Sequence, residues 1–136
     1  MRVFKCFMVC LIALVNFTVY AQTPEVQRIG DISYIAGGIG SDESDAIQAE
    51  SKKWPLLLQF SQIDEKGWGS WISSVKVKIF DSQKREIFNT ICDGPFLLLD
   101  LNSGEYIMEF TYSDVIQKKI VTIKPKQPEK LSIYWR

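Results

Sequence analysis

The chain has 136 residues, with 16 Lys and Arg against 16 Asp and Glu, and no histidine. Without an imidazole, Ser-His-Asp and Cys-His catalysis and the usual zinc sites are excluded. The even charge balance shows no basic patch of the kind that nucleic acid requires. A Ser-Lys pair is the catalytic arrangement left open, and no motif points to one.

The N-terminus reads as an export signal. Met1-Arg2-Val3-Phe4-Lys5 carries two positive charges, and an apolar run follows from Cys6 to about Val19, interrupted by Asn16 and Thr18. Val19 and Ala21 then stand at the −3 and −1 positions of a cut before Gln22. This pattern predicts a cleavable signal peptide over residues 1–21. The alternative, an uncleaved anchor, needs a longer run of roughly 20 apolar residues. A lipoprotein signal is disfavoured because Phe7-Met8-Val9 lacks the small residues that precede a lipidated cysteine. The protein is therefore expected to be exported, to the periplasm or beyond, with no transmembrane segment after cleavage.

Cleavage removes Arg2, Lys5, Cys6 and Cys10, leaving 14 basic and 16 acidic residues, a net charge of −2, and Cys92 alone among the cysteines. One cysteine cannot close an intrachain disulfide, so a single domain of about 115 residues must be held by its core. The expected organisation is a flexible lead-in over 22–28 and one β-sandwich domain over 29–136.

In chain order, Asp31 to Ala36 predicts a short strand, followed by the glycine-rich Gly37-Gly38-Ile39-Gly40. Ser41 to Lys53 predicts a helix, with Ser41 as N-cap and Asp42, Glu43 and Asp45 complementing the dipole at its start. Pro55 ends it. The apolar stripe of Ala46, Ile47 and Trp54 is narrow, so the helix is expected on a sheet edge or end. Leu56 to Phe60 is an apolar run of strand length, and Ile63 to Trp71 reads as a loop. Val75-Lys76-Val77-Lys78-Ile79 alternates with period two, which predicts buried odd positions and exposed Lys76 and Lys78. A turn at Asp81 to Lys84 precedes a strand from Glu86 to Thr90. Asp93-Gly94-Pro95 breaks the chain before a strand from Phe96 to Leu101. Asn102-Ser103-Gly104 is expected as a tight connection. Tyr106, Met108, Phe110 and Tyr112 alternate to a turn at Ser113-Asp114, then Val115 to Ile123 and the alternating Leu131, Ile133 and Trp135 complete the chain. About seven short strands with turn signals between them, and one short helix near the N-terminus, predict a mainly β, antiparallel sandwich.

Residues 75–123 carry a resemblance. The alternating strand, the Asp81 turn, the Asp93-Gly94-Pro95-Phe96 step and Leu101-Asn102-Ser103-Gly104-Glu105-Tyr106 together resemble the carboxypeptidase regulatory-like domain, a transthyretin-like (prealbumin-like) or Ig-like β-sandwich. The last segment is similar to that family's L-x-P-G-x-Y hairpin, in which the leucine and tyrosine plug the core beside a glycine turn. Ser103 stands where the family usually has proline, and Gln83-Lys84 replace its usual glycine. The resemblance implies an accessory role in folding, adhesion or ligand binding; a fold match transfers no activity.

Several residues are candidates for chemistry. Trp68 and Trp71, in Gly67-Trp68-Gly69-Ser70-Trp71, are candidate ligand contacts, since aromatic faces on β-sandwiches stack on sugar rings; the alternative is packing over one end of the sandwich. Trp54 and Trp135 are expected in core or edge packing. Asp42, Glu43 and Asp45 could ligate calcium, but their spacing suits a helix start better. Cys92 could pair between chains or lie buried at a strand end. Gly37-Gly38-Ile39-Gly40 before a helix resembles a phosphate cradle, but three carboxylates in the first turn would repel an anion. No catalytic residue, metal ligand or cofactor is expected. The sequence thus leads to a non-enzymatic accessory of the cell envelope with an unknown envelope protein or polymer as partner and an open oligomeric state. A carbohydrate-binding module using Trp68 and Trp71 is the alternative; an inhibitor presenting a loop to an enzyme is a third.

Overall fold

The computed structural model describes residue 15 and residues 22–136; the predicted signal peptide over 1–21 and its expected cleavage site lie outside the described residues apart from Val15. Among the described residues, ten strands, one helix and one 3-10 turn follow in order. These are β1 (Gln27–Ile29), β2 (Ile32–Gly37), α1 (Ser41–Glu50) with the 3-10 turn Ser51–Lys53, β3 (Leu56–Ile63), β4 (Gly69–Trp71), β5 (Val75–Phe80), β6 (Glu86–Cys92), β7 (Phe96–Leu99), β8 (Gly104–Tyr112), β9 (Val115–Ile123) and β10 (Glu129–Trp135). They form two sheets, β1-β2-β7-β3-β10 with β4 also on β3, and β6-β5-β8-β9. The chain is a mainly β, two-sheet sandwich, as expected, but with ten strands rather than about seven. Eight of the ten coincide with the strand segments named above; the other two, β1 and β4, are three residues each and have no apolar alternation to announce them. β1 also overlaps the end of the predicted lead-in.

The sandwich is not wholly antiparallel. β3 and β10 pair in parallel, Leu56 with Glu129 through Gln62 with Trp135. The main core lies between the sheets and contains Leu56, Leu58 and Phe60 from β3, Val75, Val77 and Ile79 from β5, and Met108 and Phe110 from β8. The β5 register is as the alternation predicts: its three odd positions are buried and Lys76 is exposed. Lys78 is only half-exposed and sits 3.8 Å from Glu86 across the sheet.

A second apolar layer lies on the other face of the first sheet. Ile35, Leu57, Phe96 and Leu98 point outward there and are covered by Ile47 of α1, with Trp54 at the border. This corrects the expected position of the helix, which covers a sheet face and not an edge. It also explains why β7 and the start of β3 read as unbroken apolar runs, since both of their faces are buried. One covering side chain suffices for a short helix, so its stripe looked narrow. The helix ends at Glu50, before the 3-10 turn, and Gly40, not Ser41, is its N-cap, with no side-chain cap. The acidic first turn has another use: Glu43 Oε1 accepts the backbone N–H of Gly38 at 2.8 Å, closing the glycine run onto the helix.

Two turns show how the sequence solves local geometry. Ser113 and Asp114 both have positive φ (46° and 62°), the combination of a two-residue type I′ hairpin joining β8 and β9. At Asp81, Oδ1 accepts the backbone N–H groups of Gln83 and Arg85, each at 2.9 Å, and Lys84 takes the left-handed position with φ 63°. The Arg85 backbone N–H, chief among these donors, holds the Asp81 carboxyl below its ordinary value.

The connection at Asn102-Ser103-Gly104 is an arch, not a hairpin, because β7 and β8 belong to different sheets. The predicted strand to Leu101 accordingly ends at Leu99. Leu101 and Tyr106 are both in the main core, and the Tyr106 hydroxyl donates to the Asn102 carbonyl oxygen at 2.7 Å, tying the arch to β8. Gly104 has φ 152°, and a Cβ there would meet only the Tyr106 ring at 4.0 Å. Gly104→Val is therefore expected to destabilise through backbone conformation alone, by about 1–3 kcal/mol. An unchanged melting temperature would refute this account of the arch.

Candidate functional site

The β3–β4 hairpin positions the predicted tryptophans. Asp64 organises its turn: its Oδ1 accepts the backbone N–H groups of Lys66 and Trp68, each at 2.9 Å, and its own N–H donates to the Trp68 carbonyl at 2.9 Å. The backbone of Trp68 is fixed, while its side chain is 73% exposed at the hairpin tip. The predicted loop over 63–71 is thus shorter than expected, with β3 running to Ile63 and β4 starting at Gly69.

Trp71 has a different setting. Its ring lies over Phe96, with centroids 4.9 Å apart and planes at 55°, and it remains 56% exposed. Phe96 is buried in the second layer, so it gives Trp71 a fixed base. The register then places Trp71 opposite Ser61, and Ser61 opposite Tyr134 on β10. Paired residues share a face, so Trp71, Ser61 and Tyr134 form a row across three strands. Two strand spacings separate the aromatic backbones, about 9–10 Å. The next row contains Ser132, Gln59 and Phe96. Ser132 Oγ donates to Gln59 Oε1 at 3.2 Å.

These residues make an uncharged strip on the outer face of the first sheet, beside the region that α1 covers. A cavity of about 280 Å³ is lined by Ser61, Gly69, Ser70, Trp71 and Ser132. Tyr134 is half-exposed, and the Arg136 guanidinium lies 5.7 Å from its ring centroid, within cation–π range. The strip offers two aromatic surfaces with hydroxyl groups between them. That combination is chemically suited to molecules with both apolar faces and hydroxyls. No protein-family model matches the chain, and no curated protein matches it.

The structure brings Trp71 together with Ser61, Ser132 and Tyr134, and places Trp68 at the hairpin tip. Tyr134 carried a weak signal in the sequence, as the outward position in the alternation of Leu131, Ile133 and Trp135. Its neighbours across the sheet could not be read, because they come from a parallel pairing between distant segments. Trp135 is buried in the main core, its indole N–H donating to the Val115 carbonyl at 3.2 Å, and Trp54 is half-buried against the second layer.

The remaining candidates have structural settings. Glu43 is engaged with the glycine run, and no group of three or more Cys, Asp or Glu able to hold a metal ion occurs among the described residues. Cys92 is the buried last residue of β6. Burial, helped by the charge of Asp93, pushes its thiol from 9.0 up to about 12. Since a thiolate is the reactive species, Cys92 should resist a disulfide reagent at pH 8 while folded and react fully in denaturant. Equal rates in the two states would show that it is accessible. The raised value also means that this group's contribution to stability is intact below pH 9 and is lost as pH climbs from 9 towards 12.

The sequence shows no basic patch, yet the fold gathers Lys52, Lys53, Lys124 and Lys126 around a cleft at one end of the sandwich.

Proposed function

We propose that this chain is an exported, non-enzymatic β-sandwich that acts as a binding or structural accessory in the cell envelope, with an envelope protein or polymer as its partner. The observation that carries the binding role is the row of Trp71, Ser61 and Tyr134, held on the sheet face beside the part that the helix covers. The signal-like N-terminus supports export. The lack of histidine supports a role without catalysis.

We further propose membership of the carboxypeptidase regulatory-like, prealbumin-like class. Three features support it. Leaving aside β1, β2 and the short β4, seven strands remain, three in one sheet and four in the other. The Leu101 to Tyr106 segment buries both of its apolar ends and is tied by the tyrosine hydroxyl. The Asp93-Gly94 step leads into a strand whose aromatic first residue is fully buried.

The test of export is N-terminal sequencing of the protein recovered from the envelope or medium, expected to begin at Gln22; an intact Met1 on cytoplasmic material overturns that part. Binding is tested by co-sedimentation with isolated envelope material, expected for the native protein and reduced in Trp71→Ala.

The second reading is a carbohydrate-binding module, favoured by the uncharged strip and its cavity. The apolar faces of a sugar would stack on Trp71 and Tyr134, with its hydroxyls at Ser61 and Ser132. Soluble glycans should then change tryptophan emission. Trp71→Ala should abolish the response and Trp68→Ala should leave most of it. No response across a broad glycan panel would sink this reading and leave the protein-partner reading standing.

A further inference from the structure

The cleft noted above joins two segments that are far apart in sequence. Lys52 and Lys53 close the 3-10 turn, and Lys124 and Lys126 belong to the β9–β10 connection. The segments are tied together by the backbone of Glu129, whose N–H donates to the Pro55 carbonyl at 3.0 Å, and by the parallel pairing of Glu129 with Leu56. The space between them is about 560 Å³, with Trp54, Pro55 and Pro125 among its apolar walls and no acidic side chain lining it. It shares no lining residue with the strip around Trp71.

The lysines are only partly neutralised. Glu50 lies 3.7 Å from Lys53 and also accepts the Trp54 indole N–H at 3.4 Å. Among the described residues, no carboxylate is within ion-pair distance of Lys52, Lys124 or Lys126. Complementing a helix C-terminus would account for Lys52 and Lys53, but not for Lys124 and Lys126. Lys126 also has φ 56°, a conformation that glycine or asparagine adopts at less cost. Four like charges around one cleft oppose folding by mutual repulsion, and a bound anion would offset that.

We propose that this cleft binds a phosphate monoester carried on an apolar or ring-shaped body, with the phosphate among Lys52, Lys124 and Lys126 and the body against Trp54 and the flanking prolines. Three physical points lead to this class. A phosphate monoester carries close to two negative charges at neutral pH, which matches several ammonium groups better than a carboxylate does. Lysine meets phosphate as a point charge and needs no fixed fork geometry. The volume falls in the range of small-molecule sites, about 300–1,000 Å³, and exceeds what inorganic phosphate fills, so the indole of Trp54 has room to stack on the remainder.

The experiment is calorimetric titration of the protein with 1-naphthyl phosphate, 1-naphthol and inorganic phosphate at low salt, together with sedimentation on phosphatidylcholine vesicles with and without phosphatidic acid. Saturable binding of naphthyl phosphate, or retention on phosphatidic acid vesicles alone, supports the site. The first result assigns a soluble ligand and the second a lipid headgroup. Binding should weaken at least tenfold in the variant carrying Lys124→Gln and Lys126→Gln, and should fall steeply with added salt. The same variant should keep or raise its melting temperature, because repelling charges are removed. The proposal is overturned by an absence of binding in both arms or by unchanged affinity in the double variant. It is also overturned if inorganic phosphate binds as tightly as naphthyl phosphate, or if a drop of several degrees in melting temperature shows the lysines to be structural.

Discussion

Phe96→Ala should be among the most damaging single substitutions in this protein, with an expected loss of about 3–5 kcal/mol. The ring is fully buried between the first sheet and α1, among Ile35, Ile47, Leu57 and Leu98. Removing it leaves a cavity that neither the sheet nor a helix with one buried residue can easily fill. The loss would consume a large part of a typical total stability of about 5–15 kcal/mol. Phe96 also supports Trp71, so the substitution should shift Trp71 emission toward that of exposed indole. A double-mutant cycle with Trp71→Ala should return a coupling of about 0.5–1.5 kcal/mol. Urea denaturation followed by circular dichroism gives the first quantity. A loss below about 1 kcal/mol would show that the second layer contributes little to holding α1, and a zero coupling would detach Trp71 from its base.

The same layer separates what the sequence displayed from what it concealed. Val75 to Ile79 alternates because one face of β5 meets the core and the other meets water, so its burial was readable residue by residue. Phe96-Leu97-Leu98-Leu99 does not alternate, because α1 covers the second face. Such a run is consistent with a strand, but it does not say what lies on either side. The position of the helix was therefore hidden: Ile47 is its one buried side chain, and the large apolar area it covers belongs to the sheet. In the same way, Leu101 and Tyr106 were recognisable as core plugs. Whether their connection joined neighbours in one sheet or crossed to the other depended on long-range pairing.

The candidate sites followed the same logic. Trp71 could be singled out from composition, since a tryptophan in a Gly/Ser segment has no evident core role. Ser61, Ser132 and Tyr134 had no such mark, because they become neighbours only through the parallel β3–β10 register. The lysine cleft depends on the same pairing, as it brings the β9–β10 connection against the end of the 3-10 turn. Pairing the last strand in parallel with β3 thus shapes both candidate surfaces. A single choice of topology created them, and local sequence periodicity does not encode it.

Gly94→Ala tests the close approach on which that layer rests, and its sign is decided by competing effects. At an ordinary backbone conformation, replacing glycine with alanine stabilises by about 0.4–1 kcal/mol, because the unfolded chain loses freedom. Gly94 is not among the residues with positive φ. However, a Cβ at this position would press on the carbonyl group of Gly37 and come within 2.8 Å of its Cα. These are backbone atoms of β2, held in register by the pairing of Gly37 with Phe96. They cannot yield without disturbing the β2–β7 ladder and the Phe96 ring beside it. Overpacking costs of this kind run to about 1–3 kcal/mol and sometimes more, so a net loss of about 2 kcal/mol or greater is expected. Gly69→Ala is the control, since a Cβ there would meet nothing within 4 Å, and it should be neutral or slightly stabilising. If the two variants have the same denaturation midpoint, backbone contact between Gly37 and Gly94 does not set the spacing of this layer. If Gly94→Ala alone falls, the glycine in the Asp93-Gly94-Pro95 step is required by the approach of a neighbouring strand, in addition to its place in a turn.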